Sequence, residues 1–333
     1  MGKTGGRSHR VATIDQGTVS TRLLLAEVED GAIVSSTKCT VITDLGEGVD
    51  ANGVFSDAAV QRVLSTCEGF MRDIAAFRPE RVCTTLTSAA RDVSNGERLL
   101  RELEAMGLAP QVIPGEVEAR LTFYGVAHDF PGERIAVADS GGGSTELAVG
   151  SFAPGCALAV GKVRSLNIGC RRVTERFLLQ EPGVPPSDAA LAEAAAWALP
   201  QFRAYWEALD EQPERLVAVG GTVTTLSALA LDMAVYDSHR VHLHELSFEA
   251  VEEGIERMRG LTVEQIGVLP GVQPERAHVL LAGALVIREL MRAGGYASLT
   301  VSENSIMAGV VETVAEVLDG IEPAIGWTPQ LSF

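Results

Sequence analysis

Two stretches of the chain, 124 positions apart, repeat one short pattern. Asp15–Leu23 reads DQGTVSTRL and Asp139–Leu147 reads DSGGGSTEL, so that Asp, Gly, Ser, Thr and Leu coincide at five of nine positions. Apolar runs flank each copy, which is typical of two β-strands joined by a turn. Because both copies keep the same order at one constant spacing, we interpret them as an internal duplication of a whole domain.

The predicted elements also begin again at the second copy. A β-β-β-α-β-α-β-α order fills the first part of the chain, and three more strands, helices and a further strand follow. The pattern therefore predicts an α/β protein with two related domains. The predicted strands are 11–15, 22–28, 33–42, 81–86, 111–113, 135–139, 145–149, 157–166, 216–219 and 299–301, and the main helices start after Ser56 and Gly115 and cover about 171–179, 188–209, 248–259, 276–293 and 306–318.

The repeated turns, Gly17–Ser20 (loop 1) and Gly141–Ser144 (loop 2), predict a site for phosphate. Glycine lets successive backbone N–H groups approach a ligand and point into one concavity, and hydroxyl groups add donors. Asp15 and Asp139, at the strand ends, cannot bind phosphate because like charges repel. Each can hold a divalent cation that bridges to phosphate oxygens. Two such loops on opposite sides of a cleft would grip a phosphate chain.

Composition limits the classes of ligand that the protein is expected to bind and the cellular compartment in which it is expected to lie. The 333 residues carry a formal net charge of −17, which argues against general nucleic-acid binding and requires any phosphate site to be local. No apolar run approaches the roughly 20 residues of a membrane span, and no secretory signal is recognisable. The five cysteines form no C-x-x-C pair, so neither a zinc site nor a disulfide framework is predicted. We expect a cytoplasmic protein that binds neither nucleic acid nor membranes.

Five ordered motifs resemble the exopolyphosphatase and guanosine pentaphosphate phosphohydrolase (Ppx/GppA) family of the actin, sugar-kinase and heat-shock ATPase superfamily. The resemblance covers about residues 11–310, and its motifs are Asp15–Arg22, Thr87–Asp92 (TSAARD), Gly115–Arg120 (GEVEAR), Asp139–Glu146 and Gly220–Thr224 (GGTVT). Three departures stand out. Loop 1 reads DQGTVS where the family usually has D-I-G-S-N-S, and Ser140 follows Asp139 where an apolar residue is usual. SENSIMAG lacks the arginine of the usual L-R-E-G.

The resemblance implies a fold as well as motifs. It implies two duplicated ribonuclease H-like domains of the actin-like ATPase type, each a mixed five-stranded sheet with flanking helices. The active site would lie in the cleft between them. Domain I would cover residues 10–126 with about 303–320, domain II would cover 127–302, and residues 1–9 would form a disordered tail.

The resemblance also implies roles for particular residues. Glu118, the last acid before Ala-Arg in GEVEAR, is the expected catalytic residue, whose task is to orient and deprotonate the attacking water. Asp139, helped by Asp15 and Glu146, is expected to hold Mg²⁺ or Mn²⁺. The implied phosphate-binding residues are Gly17, Thr18, Ser20, Arg22, Arg91, Gly141, Gly142, Gly143, Ser144 and Thr145, and Gly221 and Thr222 are candidates for a distal substrate contact.

The expected activity is release of the terminal phosphate from inorganic polyphosphate, of the 5′-terminal phosphate from guanosine pentaphosphate, or of both. Two alternatives stay open. DQGT followed by Ser-Thr-Arg also resembles the first phosphate loop of glycerol-kinase-type sugar kinases, which suggests an ATP-dependent small-molecule kinase. Altered loops would also suit a non-catalytic regulator that binds polyphosphate or a guanosine alarmone. A homodimer would be ordinary for the family.

Overall fold

A computed structural model describes residues 7–179 and 183–333, which form two lobes, each built on a mixed sheet of six strands. The first sheet contains β1 (Ser8–Gln16), β2 (Ser20–Glu29), β3 (Ala32–Ile42), β4 (Arg81–Leu86), β5 (Pro110–Val112) and β12 (Leu331–Ser332). The second contains β6 (Arg134–Ser140), β7 (Thr145–Ser151), β8 (Ala159–Leu166), β9 (Arg215–Val219), β10 (Glu245–Ser247) and β11 (Ser298–Val301).

The two sheets repeat one topology, which confirms the duplicated α/β fold. β1, β2 and β3 form an antiparallel meander with β4 parallel to β1, and β6, β7 and β8 form the same meander with β9 parallel to β6. β5 continues the first sheet beside β4, and β11 continues the second beside β9. The expected count of five strands is wrong, because β12 and β10 each add a sixth, antiparallel strand. These strands have two and three residues, too few for alternation to reveal them.

Helices cover the outer face of each sheet. On the first lobe, two helices, Asp57–Phe77 and Gly96–Ala105, bury apolar residues against β1, β2 and β4. On the second lobe, four helices pack against β6, β7, β9 and β11, namely Asp188–Glu207, Gly221–Ala230, Phe248–Met258 and Ala277–Gly294. The helices are α1 (Val49–Asn52), α2 (Asp57–Phe77), α3 (Ser88–Arg91), α4 (Gly96–Ala105), α5 (Gly115–Ala127), α6 (Cys170–Val173) continued by a π-helical turn (Thr174–Leu178), α7 (Asp188–Glu207), α8 (Gly221–Ala230), α9 (Ser238–Val241), α10 (Phe248–Met258), α11 (Val263–Gly267), α12 (Ala277–Gly294, after a 3₁₀ turn at Pro274–Arg276) and α13 (Ile306–Leu318).

Helices α5 and α13 lie between the two sheets and share one core with both. That core contains Val11 of β1, Val137 of β6 and the buried faces of the two helices. The helices cross at glycines, since a Cβ on Gly125 would lie 2.5 Å from the backbone nitrogen of Gly309, and a Cβ on Gly309 would collide with the Leu121 carbonyl. This close contact fixes α5, which carries Glu118 in its first turn.

Several sequence predictions can be compared with these elements directly. The helix predicted after Ser56 is confirmed, and the Ser56 side chain caps it by accepting a hydrogen bond from the Ala59 N–H at 3.1 Å. α13 has the predicted bounds. The predicted disordered tail is wrong for Ser8 and His9, which belong to β1, and residues 1–6 lie outside the described residues. The domain boundaries stay a prediction. Within 7–179 and 183–333, no helix is both long and apolar enough to cross a membrane.

Candidate active site

The two repeated loops meet face to face between the lobes. Each is closed in the same way, by a hydrogen bond from the Gly17 N–H to the Ser20 carbonyl at 2.9 Å and from the Gly141 N–H to the Ser144 carbonyl at 3.0 Å. A Cβ on Gly142 would lie 2.7 Å from a Val19 methyl carbon, so only glycine allows this approach. The strand-turn-strand duplication therefore places two sets of backbone amides on one cleft.

Most of the predicted site residues line this cleft together. The lining includes Glu118, Asp139, both loops, Arg22 of β2 and the first residues of α8. Asp15, Arg91 and Glu146 lie directly behind and contact lining side chains. The predicted residues in the lining are Gly17, Thr18, Ser20, Arg22, Glu118, Asp139, Gly141, Gly142, Gly143, Ser144, Gly221 and Thr222.

Thr145 is placed differently from the other predicted phosphate-binding residues. Its side chain is fully buried, and its hydroxyl donates a hydrogen bond to the Ile168 carbonyl at 2.6 Å. Ser144, one position earlier, lines the cleft while its hydroxyl donates to Glu146 Oε1 at 2.7 Å. The Thr145 side chain thus holds β7 against the segment before α6, and the cleft is lined by the residues that precede it, Gly141–Ser144.

Four carboxylates, Asp15, Glu118, Asp139 and Glu146, are buried around the loops. Arg22 Nε donates to Asp15 Oδ2 at 2.9 Å. Arg91 NH1 donates to Glu118 Oε2 at 2.7 Å, and its other terminal nitrogen lies 3.5 Å from Glu146 Oε1. Each arginine thus fixes the carboxylates nearest to it.

Burial and mutual repulsion raise the pKa values of three of these carboxyl groups. Burial raises the pKa of Glu118, the Glu146 charge raises it further, and Arg91 opposes both. Burial and the Asp139 charge raise the pKa of Glu146, whereas hydrogen bonds from the Ser165 and Ser144 hydroxyls lower it. Burial likewise raises the pKa of Asp139, although Arg22 opposes it. A carboxylate whose pKa is raised is a stronger base and is better suited to take a proton from water.

Among the described residues, Asp139 is the one carboxylate of these four that has no arginine ion pair, since Asp15 pairs with Arg22, and Glu118 and Glu146 pair with Arg91. Among residues 7–179 and 183–333, only the Thr122 hydroxyl donates to it, at 3.3 Å. When all are ionised, four carboxylates against the guanidinium groups of Arg22, Arg91 and Arg276 leave a formal excess of one negative charge. Nowhere in the described chain are three His, Cys, Asp or Glu side chains grouped to hold a metal ion. Asp139, which accepts from one neutral hydroxyl, would suit a cation such as Mg²⁺, which usually takes one or two carboxylates together with substrate phosphates and water.

The cleft also contains residues that the sequence did not single out. Arg276 lines it opposite the loops, and its guanidinium covers Gly221 so closely that a Cβ there would collide with it. Ser88 and Cys170 line it as well. α8 was missed as a helix, although its first residue, Gly221, was expected at the site. No local pattern marks Arg276, because its contribution depends on α12 packing beside α8.

The raised pKa of Glu146 predicts a pH-dependent stability effect. In the folded protein, burial and the Asp139 charge raise this pKa to about 7, whereas a glutamate in the unfolded chain has a pKa of about 4.3. The folded state therefore gains stability from the bound proton at low pH and loses it as the pH rises through the folded-state pKa. Glu146→Gln, which keeps an acceptor for the two serine hydroxyls, should stabilise the metal-free protein by about 2 kcal/mol more at pH 8 than at pH 5.

Urea unfolding in EDTA at both pH values measures this difference. Glu116→Gln is the matched control, because Glu116 is exposed on the same helix as Glu118. An equal effect of Glu146→Gln at pH 5 and pH 8 would contradict the expectation.

Comparison with known proteins identifies the chain's relatives. The profile of the Ppx/GppA phosphatase family matches residues 24–316. Exopolyphosphatase 2 of Mycobacterium tuberculosis is 34% identical over 323 residues, which cover 92% of this chain and 98% of that protein.

Solved structures agree with the sequence comparison. The crystal structure of the Aquifex aeolicus member of the Ppx/GppA family superposes with a TM-score of 0.77 at 29% identity, covering 94% of this chain and 99% of that one. An exopolyphosphatase-like protein superposes with a TM-score of 0.85 at 30% identity, covering 93% and 99%. Because the family profile, the related sequences and the solved structures all indicate the same family, the chain belongs to the Ppx/GppA phosphatase family.

Proposed function

We propose that this protein hydrolyses the terminal phosphoanhydride bond of inorganic polyphosphate, with guanosine pentaphosphate as an alternative or additional substrate. The observation that carries the proposal is the position of Glu118. It is a buried carboxylate on the wall of a cleft that both phosphate loops line. The name of the M. tuberculosis relative supports polyphosphate as the first substrate to test. Membership of a phosphatase family favours hydrolysis over the kinase alternative.

The loops would bind the terminal phosphate through backbone N–H groups, with Arg22 beside them. Glu118, held by Arg91, would orient a water molecule and accept its proton. The water oxygen forms a bond to the terminal phosphorus, and the bond from phosphorus to the bridging oxygen breaks. The shortened chain leaves as a phosphate anion, which is a good leaving group and needs no proton from the protein. Amides and guanidinium groups would stabilise the charge on the phosphoryl oxygens.

Asp139, with Asp15 and Glu146 nearby, would hold Mg²⁺ or Mn²⁺. Such a cation supplies positive charge that neutralises phosphoryl oxygens. Because Asp15 is paired with Arg22 and Glu146 accepts from two serine hydroxyls, Asp139 is the carboxylate most available to a cation.

A second cavity offers space for the rest of the substrate. It shares Arg22, Gly221 and Arg276 with the loop cleft and extends to Lys38 and Tyr236. The two arginines would attract a following phosphate group, and the remaining space suits either further phosphates or a nucleoside. Gly221 and Thr222 would then contact the substrate beyond its terminal phosphate. A cytoplasmic location and a homodimer are further proposals.

Replacing Glu118 by Gln should abolish turnover while the fold is kept. Gln preserves the size of the side chain and an acceptor for Arg91, but it cannot take a proton from water. We expect kcat to fall by about 10³-fold or more, at the upper part of the range for loss of a general base. Circular dichroism and the steady-state rate of phosphate release check both parts. Glu116→Gln, on the same turn of α5 but exposed, should retain near-normal turnover; near-normal turnover of Glu118→Gln would refute the assignment.

Phosphate release from long-chain polyphosphate and from guanosine pentaphosphate should be measured side by side, with EDTA and with added Mg²⁺. We expect release from at least one substrate, loss of activity in EDTA and recovery with Mg²⁺. Asp139→Asn should raise the Mg²⁺ concentration needed for half-maximal activity. Binding of both compounds without phosphate release would instead support the non-catalytic regulator, and unchanged rates in EDTA would remove the proposed cation.

A further inference from the structure

We propose that Asp44 and Arg171 are positioning residues that hold loops 1 and 2 at the spacing that phosphate requires. The two side chains form an ion pair across the lobes, and only 24% of the Asp44 side chain and 8% of the Arg171 side chain are exposed. Neither residue lines the loop cleft. The inference rests on the proposed function, because it concerns how the same phosphate site is assembled.

Asp44 is attached to the back of loop 1. Its backbone N–H donates to the Val19 carbonyl at 2.9 Å, and the Gly46 N–H donates to the Thr18 carbonyl at 2.8 Å. Arg62 of α2 secures the same segment by donating to the Asp44 carbonyl at 3.1 Å. Any movement of the Asp44 backbone is therefore passed directly to loop 1.

Arg171 is attached to the back of loop 2 in the same way. The N–H groups of Arg171 and Arg172 both donate to the Gly142 carbonyl, at 2.9 and 3.2 Å, and the Cys170 N–H donates to the Gly141 carbonyl at 3.0 Å. The first turn of α6 thus binds loop carbonyls from behind. With these carbonyls held away from the cleft, the loop amides are free to serve an anion.

The pair is embedded in further contacts that limit its movement. Glu175 accepts from Arg171 NH1 at 3.2 Å and from the Gly48 N–H of the first lobe at 3.0 Å. His278 Nε2 of α12 lies 2.8 Å from Arg171 NH2 and 3.2 Å from Asp44 Oδ1. Because the guanidinium is buried, loss of Asp44 would leave Glu175 as its remaining acidic partner, remove the ion pair to the Asp44 segment and favour separation of the two segments.

A neighbouring ion pair provides a matched control. Arg176 also crosses the lobes, and its NH2 donates to Asp50 Oδ1 at 2.9 Å. Its side chain is 40% exposed, and it donates to no carbonyl of either loop. Ion pairs of exposed arginines contribute little to stability, and Asp50 keeps its second ion pair with Arg172, whose Nε donates to the Gly143 carbonyl of loop 2. Arg176→Gln should therefore remove an interlobe charge pair without moving the loops.

The test compares Asp44→Asn, Arg171→Gln, the double variant and Arg176→Gln. For polyphosphate hydrolysis we expect kcat/KM to fall about 100-fold in each single variant, the size expected for a misplacement of about 1 Å. The double variant, which removes both charges and so is expected to fold, should be no slower than the single variants, because contacting residues are not additive. Arg171→Lys should recover at least about tenfold over Arg171→Gln, and Arg176→Gln should stay within about twofold of wild type.

A second arm measures binding of tripolyphosphate by calorimetry in Glu118→Gln protein, where no turnover interferes. Asp44→Asn should weaken this binding and Arg176→Gln should not. A merely structural pair would lower the unfolding temperature but leave the kinetics and affinity of the folded protein unchanged. A folded double variant with wild-type kcat/KM and tripolyphosphate affinity would overturn the inference. Absence of phosphate release from the wild-type protein would instead contradict the proposed function, and the binding arm would still decide on the pair.

Discussion

The contact between two glycine-containing turns is the constraint on which the rest of the structure depends. Thr18 and Val19 of loop 1 lie so close to Gly142 that no side chain fits there. The two turns belong to lobes with separate sheets, so this close contact requires that the segments behind both turns hold them rigidly. The α5–α13 crossing at Gly125 and Gly309 supplies one such support between the sheets.

The site combines an anion-binding surface with buried acids, and these features oppose each other electrostatically. Amides and Arg22 favour phosphate, whereas Glu118, Asp139 and Glu146 repel it. Ion pairs with Arg22 and Arg91 reduce the repulsion without removing it, and burial together with the remaining repulsion raises the pKa values of three carboxyls. A divalent cation that accompanies the substrate would complete the balance. The same arrangement leaves Glu118 a stronger base than an exposed glutamate, which is what activation of water requires.

Much of this architecture could be predicted because it is local or repeated. The duplication of Asp15–Leu23 at Asp139–Leu147 predicted both loops and the repeated sheets, and apolar spacing predicted α2 and α13. Features that depend on contacts distant in sequence could not be read in this way. β10 and β12 are strands only because the edge of a neighbouring strand offers them hydrogen bonds. The positions of Arg276 and of the Asp44–Arg171 pair depend on how the two lobes pack together, which no local pattern shows. For Glu118, a motif suggested the residue, and its burial beside Arg91 supports the role proposed for it.

The central claim is that both loops bind one anion, and a crystal structure of Glu118→Gln protein with tripolyphosphate and Mg²⁺ tests it most directly. The account predicts a terminal phosphate within hydrogen-bond distance of backbone N–H groups from both Gly17–Ser20 and Gly141–Ser144, with residue 118 beside the phosphorus. A phosphate bound by one loop alone, or bound elsewhere with the two loops apart, would contradict it.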